Sequence, residues 1–243
     1  MACSVAIADK LETLAGLFGI GQLPTGDRDP FALRRHALGV IRILIERDLP
    51  LSVVDLINEA FEAFPKELKL ANTRSELETF IFERMRGYFA DAGYTTQEID
   101  AVLSMRPAII HKIPLQLAAV RAFAALPEAA SLAAANKRIK NIIGKSAPSA
   151  GDVFSEKHFQ ASEEIELYKA FTSADTKADS AYVAGQFTET LQALAVLKPA
   201  VDAFFDKVMV NVEDPALRSN RLLLLMKLES AFNRFADISK LAA

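Results

Sequence analysis

Apolar residues recur along this chain at intervals of three and four, and no alternation of period two lasts more than a few positions. That periodicity predicts helices nearly throughout. The first runs from about Ala2 to Phe18, with Val5, Ala8, Leu11, Ala15 and Phe18 sharing one side. The turn-rich stretch GIGQLPTGDRD follows, and Gly19, Gly21 and Gly26 are expected to supply positive φ there. Asp29-Pro30 then reads as an N-cap and first-turn proline for a helix reaching about Asp48. Ser52 with Asp55, and Thr73 with Glu76, have capping-box spacing and open helices ending near Phe64 and Gly93. Shorter helices start near Thr96 and Pro114, and another runs from Pro127 to Gly144. The segment KSAPSAGDVFSEKHF, Lys145 to Phe159, reads as a linker. Beyond it come helices over about Ser162–Lys177 and Asp179–Lys198, then a pair around a short acidic hinge within Val201–Leu241. The predicted fold class is all-α, built of multi-helix bundles, with no internal repeat.

Two of these helices carry polar faces of interest. In SLAAANKRIKNIIGK, Leu132, Ala135, Ile139, Ile142 and Ile143 cover one side, while Lys137, Arg138, Asn141 and Lys145 cover the other. No acids sit one turn away to neutralise these cations, so the face is less simply a solvated one. In the last long helix, Arg218, Asn220 and Arg221 precede the apolar run Leu222 to Met226. Arg218 and Arg221 share a line with Leu225, Leu228 and Phe232, which predicts two guanidinium groups hydrated at a helix tip and aimed at an anion. Arg34 and Arg35 open an earlier helix in the same way. There, pairing of Arg42 with Glu46 and the shared line of Arg34, Leu38, Ile41 and Ile45 favour a structural role over RNA contact.

Charge sharpens the picture locally. The net charge is −3, which gives the whole chain no nucleic-acid signature. From Arg106 to Lys145, however, there are seven cations against one acid, Glu128, and from Ser146 to Ser180 seven acids against three lysines. Such a switch points to a local anionic partner. No apolar run reaches the roughly 18 residues of a membrane span. Asp9, Lys10 and Glu12 interrupt any signal-peptide centre, so a cytoplasmic address is expected. The single cysteine, Cys3, makes neither an internal disulfide nor a cysteine-based metal site. His36, His111 and His158 are far apart, and no nucleophile elbow, P-loop or zinc spacing occurs, so no catalytic residue and no metal ligand is assigned. The amphipathic helix at the very start reads as part of a longer polypeptide.

Three segments carry a family resemblance. Ala6 to Leu44, AIADKLETLAGLFGIGQLPTGDRDPFALRRHALGVIRIL, is similar almost residue for residue to a block of the β subunit of the bacterial two-subunit glycyl-tRNA synthetase. The Asn-Lys-Arg-Ile block at 136–139 resembles the same family, and Val201 to Leu241 resembles a DALR-type anticodon-binding helical domain. The resemblance implies an HD-like helical region over 1–125, truncated at its N-terminus, followed by the anticodon-binding domain over 126–243. Asp9 matches the last metal-binding aspartate of true HD enzymes, but the other ligands are missing, and one carboxylate cannot hold a catalytic metal. The implied function is recognition of glycine tRNA, including its anticodon region, for ATP-dependent glycylation carried out with an α subunit in an α2β2 assembly. The fragment itself would be non-catalytic and would hold no cofactor; ATP would be used by the whole enzyme. Candidate tRNA contacts are Arg34, Arg35, Lys137, Arg138, Asn141, Lys145, Arg218, Asn220 and Arg221. A helical protein–protein scaffold and a degenerate HD phosphohydrolase fragment are the alternatives.

Overall fold

A computed structural model describes residues 2–26, 28–146, 148 and 151–242. Of the expected linker, Ala147, Ser149 and Ala150 lie outside the described residues. Among the described residues the fold is all-α: eleven α-helices and a few 3₁₀ turns, with two isolated bridges but no strand. The chain forms two compact units, Met1–Ile99 with Arg106–Pro114, and Asp100–Met105 with Leu115–Ala243.

The first unit contains α1 (Ala2–Gly19), α2 (Leu33–Glu46), α3 (Val53–Glu62) and α4 (Arg74–Asp91). α1 packs on α2 and α3, and α4 closes over both. Leu14, Phe18, Ile41, Leu44, Ile57, Ile81 and Met85 fill the space between them. The buried stripe of α1 runs through Ile7, Leu11, Leu14, Ala15 and Phe18, so Leu11, Ala15 and Phe18 lie where expected, while the first turns are rotated and leave Val5 65% exposed. The start of α2 also differs from expectation. Asp29 does serve it, its carboxylate accepting from the amides of Leu33 and Arg34 at 2.8 and 3.0 Å, but Pro30 lies in the preceding turn. Ser52 caps α3, its hydroxyl accepting from the Asp55 amide at 3.1 Å. Thr73 does not cap α4, and its buried hydroxyl has no partner among the described residues. Gly21 and Gly26 adopt positive φ as expected, whereas Gly19 ends α1 in helical geometry, with its Cα close against Leu70.

The short helix α5 (Thr96–Leu103) is followed by α6 (Ile113–Ala124) and then α7 (Ala129–Lys145). The rest of the second unit comprises α8 (Ser162–Val183), α9 (Phe187–Ala195), α10 (Lys198–Lys207) and α11 (Pro215–Phe232). α8 is longer than its sequence suggested and turns at Gly185, whose φ of 75° lets the chain reverse into α9. α11 is the central element, packing on α7, α8 and α9 with Leu222, Leu224, Leu225, Leu228 and Phe232 all buried. α10 crosses α7, and the two are tied by Asp202, which accepts from the Ser131 hydroxyl at 2.8 Å and pairs with Lys198 at 2.6 Å. Burial would raise the Asp202 carboxyl, but these two hydrogen bonds and the lysine charge hold it below the usual aspartate range.

Candidate nucleic-acid interface

α7 owes its position to one face and its chemistry to the other. Leu132, Ala133, Ala135 and Ile139 are buried against the body of the second unit, together with Asn136, whose amide donates to Asn233 at 2.8 Å. Lys137, Arg138, Asn141 and Lys145 are exposed on the opposite side. Spacing of three to four residues puts them on neighbouring turns. They line a groove of about 410 Å³ together with Ala134 and Ile142, and Asn211 from the connection between α10 and α11 completes it. Three cations face this groove and no carboxylate lines it.

Arg138 has a fixed neighbour. Its guanidinium carbon lies 4.3 Å from the centre of the Phe205 ring on α10. The sequence explains why. Ser131 and Arg138 are two turns apart on α7, while Asp202 and Phe205 are one turn apart on α10. The Ser131–Asp202 hydrogen bond thus sets the crossing that brings the ring under the guanidinium. Lys140 behaves differently from the other cations of this helix. Its ammonium reaches the buried carboxylate of Asp237 at 2.5 Å and is used within the fold. Burial would raise the Asp237 carboxyl, yet hydrogen bonds from Lys140 and Ser239 and the lysine charge keep it below its ordinary value.

The tip of α11 corrects the sequence reading. Arg218 is exposed in the first turn, but Asn220 is 1% and Arg221 6% exposed. Arg221 donates from Nε and a terminal nitrogen to both oxygens of Glu164, at 2.9 and 3.2 Å, and from the other terminal nitrogen to the Met209 carbonyl at 2.7 Å. Glu164 also accepts from the amides of Ala161 and Gln160, closing the start of α8. Burial works against its charge, but the Arg221 hydrogen bonds and those two amides prevail and lower its pKa. Asn220 accepts from the Ser155 amide at 2.8 Å, and Ser219 donates to Asp152 at 2.5 Å. Residues 152–159 of the segment read as a linker thus lie over the first turns of α11. Ser219 and Asn220 hold them down, while Arg221 ties α11 to Glu164 and to the Met209 carbonyl, and neither Asn220 nor Arg221 presents a hydrated polar group to a partner.

The remaining candidates belong to the first unit. Arg34 is half-buried and donates to the Gly26 carbonyl, while Arg35 is exposed. The pairing of Arg42 with Glu46 occurs at 2.8 Å. Asp9 is exposed, with Lys10 at 4.0 Å. Among the described residues no three His, Cys, Asp or Glu side chains converge as a metal site would require, and no single helix is long and apolar enough to cross a membrane. The candidates therefore separate: Lys137, Arg138, Asn141 and Lys145 share one groove, whereas Arg34 and Arg35 lie in a different unit. Sequence reasoning missed Phe205 and Asn211. The Phe204-Phe205 pair held a usable signal, because only one of two adjacent residues on an amphipathic helix can face the core. Asn211 sits in VNVED, where nothing marks it.

The family model described as DALR anticodon binding domain matches residues 132–238, which include every residue lining the groove and all of α11. The model described as glycyl-tRNA synthetase beta subunit matches residues 1–104. The chain is 54% identical over 239 residues to the glycine–tRNA ligase beta subunit of Thiobacillus denitrificans, covering 98% of this chain and 34% of that protein. The corresponding proteins of Nitrosomonas europaea (53% over 252 residues, 98% and 35% covered) and Dechloromonas aromatica (54% over 239 residues, 98% and 34%) are alike. The chain belongs to the glycyl-tRNA synthetase beta-subunit family. It spans about a third of the length of the curated relatives it matches.

Proposed function

We propose that this chain is a tRNA-binding part of a glycine–tRNA ligase β subunit, and that it recognises glycine tRNA, including the anticodon region. Residues 126–243 would form the anticodon-binding helical domain, and residues 1–125 the HD-like region. Activation of glycine with ATP belongs to the whole cytoplasmic enzyme, assembled as α2β2 with the α subunit as catalyst. The observation that carries this reading is the groove on α7. Lys137, Arg138, Asn141 and Lys145 converge there, without a carboxylate, inside the stretch matched by an anticodon-binding family model. A backbone of phosphates needs such cations for affinity, and bases need directional side chains beside them. Arg218, exposed at the start of α11, is a further phosphate contact in this proposal, and Arg35 a weaker one.

The test is a binding titration of the purified chain with a glycine tRNA transcript and with a tRNA differing only in its anticodon. The expected result is tighter binding of the glycine tRNA. Equal binding of both would remove the anticodon from the proposal, and binding of neither would overturn it.

A further inference from the structure

One wall of the α7 groove comes from outside α7. Asn211 lies in the connection between α10 and α11, and that connection is unusually well held for a loop. Val208 and Val210 on either side of Met209 are buried at 6% and 7% exposure, so the strand-like alternation of this short stretch drives two anchors into the core. The Met209 carbonyl between them accepts from Arg221 at 2.7 Å, and Arg221 is itself locked on Glu164. Three residues beyond Asn211, Asp214 caps α11 by accepting from the amides of Ala216 and Leu217. The backbone carrying Asn211 is thus fixed before any ligand arrives, which is what a residue that discriminates between ligands requires.

The chemistry of the groove divides in two. Lys137 and Lys145 offer charge, which suits phosphate but carries no sequence information. Asn141 and Asn211 offer carboxamides, each a donor and an acceptor, and neither has a hydrogen-bond partner among the described residues. A carboxamide contributes little to holding a phosphate, whereas its paired donor and acceptor match the edge of a nucleobase. Arg138 supplies a planar cation backed by the Phe205 ring, and such planes stack unpaired bases. Helical RNA hides most of its base edges, so a groove with a stacking plane and two amides suits a nucleotide splayed out of a loop.

We infer that Asn211 is a specificity-determining residue, which together with Asn141 reads the edge of one unpaired nucleobase stacked on the Arg138 guanidinium. The inference rests on the proposed tRNA-binding function and locates its base readout on a loop outside the basic helix. Asn211 is exposed and makes no contact that the fold depends on, so Asn211→Ala is expected to leave the melting temperature unchanged.

The experiment measures filter binding of the full 243-residue chain to glycine tRNA and to a fully paired RNA duplex of equal length. Wild type, Asn211→Ala and the Lys137→Glu/Arg138→Glu double variant are compared over a range of salt. Asn211→Ala should lower affinity for the tRNA by about threefold to tenfold, the loss of a hydrogen bond or two. Its duplex affinity and its salt slope should match wild type. An Asn211→Ala protein that binds tRNA as wild type does, or that loses equally on both RNAs, overturns the inference. If the double variant is then weakened on tRNA, the wider reading stands without it. Failure of wild type to bind the tRNA at all would overturn both.

Discussion

Arg221 lies in the second turn of α11 and is spent entirely on the fold. Its partner Glu164 is fully buried, so removal of the guanidinium would strand a carboxylate in the interior. Breaking such a pair costs about 3–5 kcal/mol, and Arg221→Ala should show that loss in denaturant unfolding. The pair also gives stability a pH dependence of definite sign. The Glu164 carboxyl is depressed in the folded state, so its contribution is complete above the ordinary glutamate value of about 4.3 and is lost as pH falls through the lower folded value. Asp237 acts in the same direction through Lys140. Urea midpoints measured from pH 6 to pH 3 should therefore fall for wild type. For Arg221→Ala they should start lower and fall less steeply, since the paired carboxylate is no longer stabilised. An Arg221→Ala protein as stable as wild type at pH 7 would contradict the buried clamp. From sequence this residue looked like a hydrated tip, because helical periodicity assigns a face but not what covers it. The cover came from residues 152–159, the end of the 145–159 stretch whose Ser, Ala, Pro and Gly content reads as linker, and their packing rests on long-range partners.

At the scale of elements, most helices were legible, because each needs only local information: a stripe of apolar residues and a cap such as Ser52. What failed depended on packing. The expected face of α1 contained Val5 and Ala8, yet the neighbours α2 and α3 selected a stripe rotated toward Ile7 and Leu14. The expected break near Lys177 moved to Gly185, since α8 gains more by continuing along α9. The groove face of α7 was legible for four residues on one helix, but its Asn211 wall was not. Two substitutions probe these elements. Leu225 in α11 is 0% exposed, and Leu225→Ala should cost about 2–5 kcal/mol through lost transfer energy and a residual cavity. Gly19 ends α1 with a would-be Cβ only 2.9 Å from the Leu70 Cβ. Alanine there gains about 1 kcal/mol of helix propensity. Leu70 Cβ is fixed to its backbone and cannot swing away, so overpacking costs about 1–3 kcal/mol and should win. Thermal melts decide both, and an unshifted Gly19→Ala would mean that the 69–72 segment yields more easily than its Ala71-to-Gly19 hydrogen bond of 2.9 Å suggests.

At the scale of the molecule, the family covers nearly the whole chain, while the chain covers only a third of its relatives. The described residues bring together cations and amides rather than a nucleophile, base and metal, so the purified chain is expected to show no glycine-dependent pyrophosphate exchange. Exchange above background would contradict the division of labour proposed here. The central claim is that the basic face of α7 holds RNA, and it is tested most directly by the salt dependence of glycine tRNA binding for wild type and Lys137→Glu/Arg138→Glu. Both side chains are exposed on the polar face of α7, so helicity should persist, and circular dichroism checks that it does. The expected result is weaker binding together with a slope of log affinity on log salt smaller in magnitude by about 0.7–0.9, the loss of the Lys137 phosphate contact, with the loss of stacking on Arg138 adding a further drop in affinity. A double variant with wild-type affinity and wild-type slope would show that tRNA does not touch this helix.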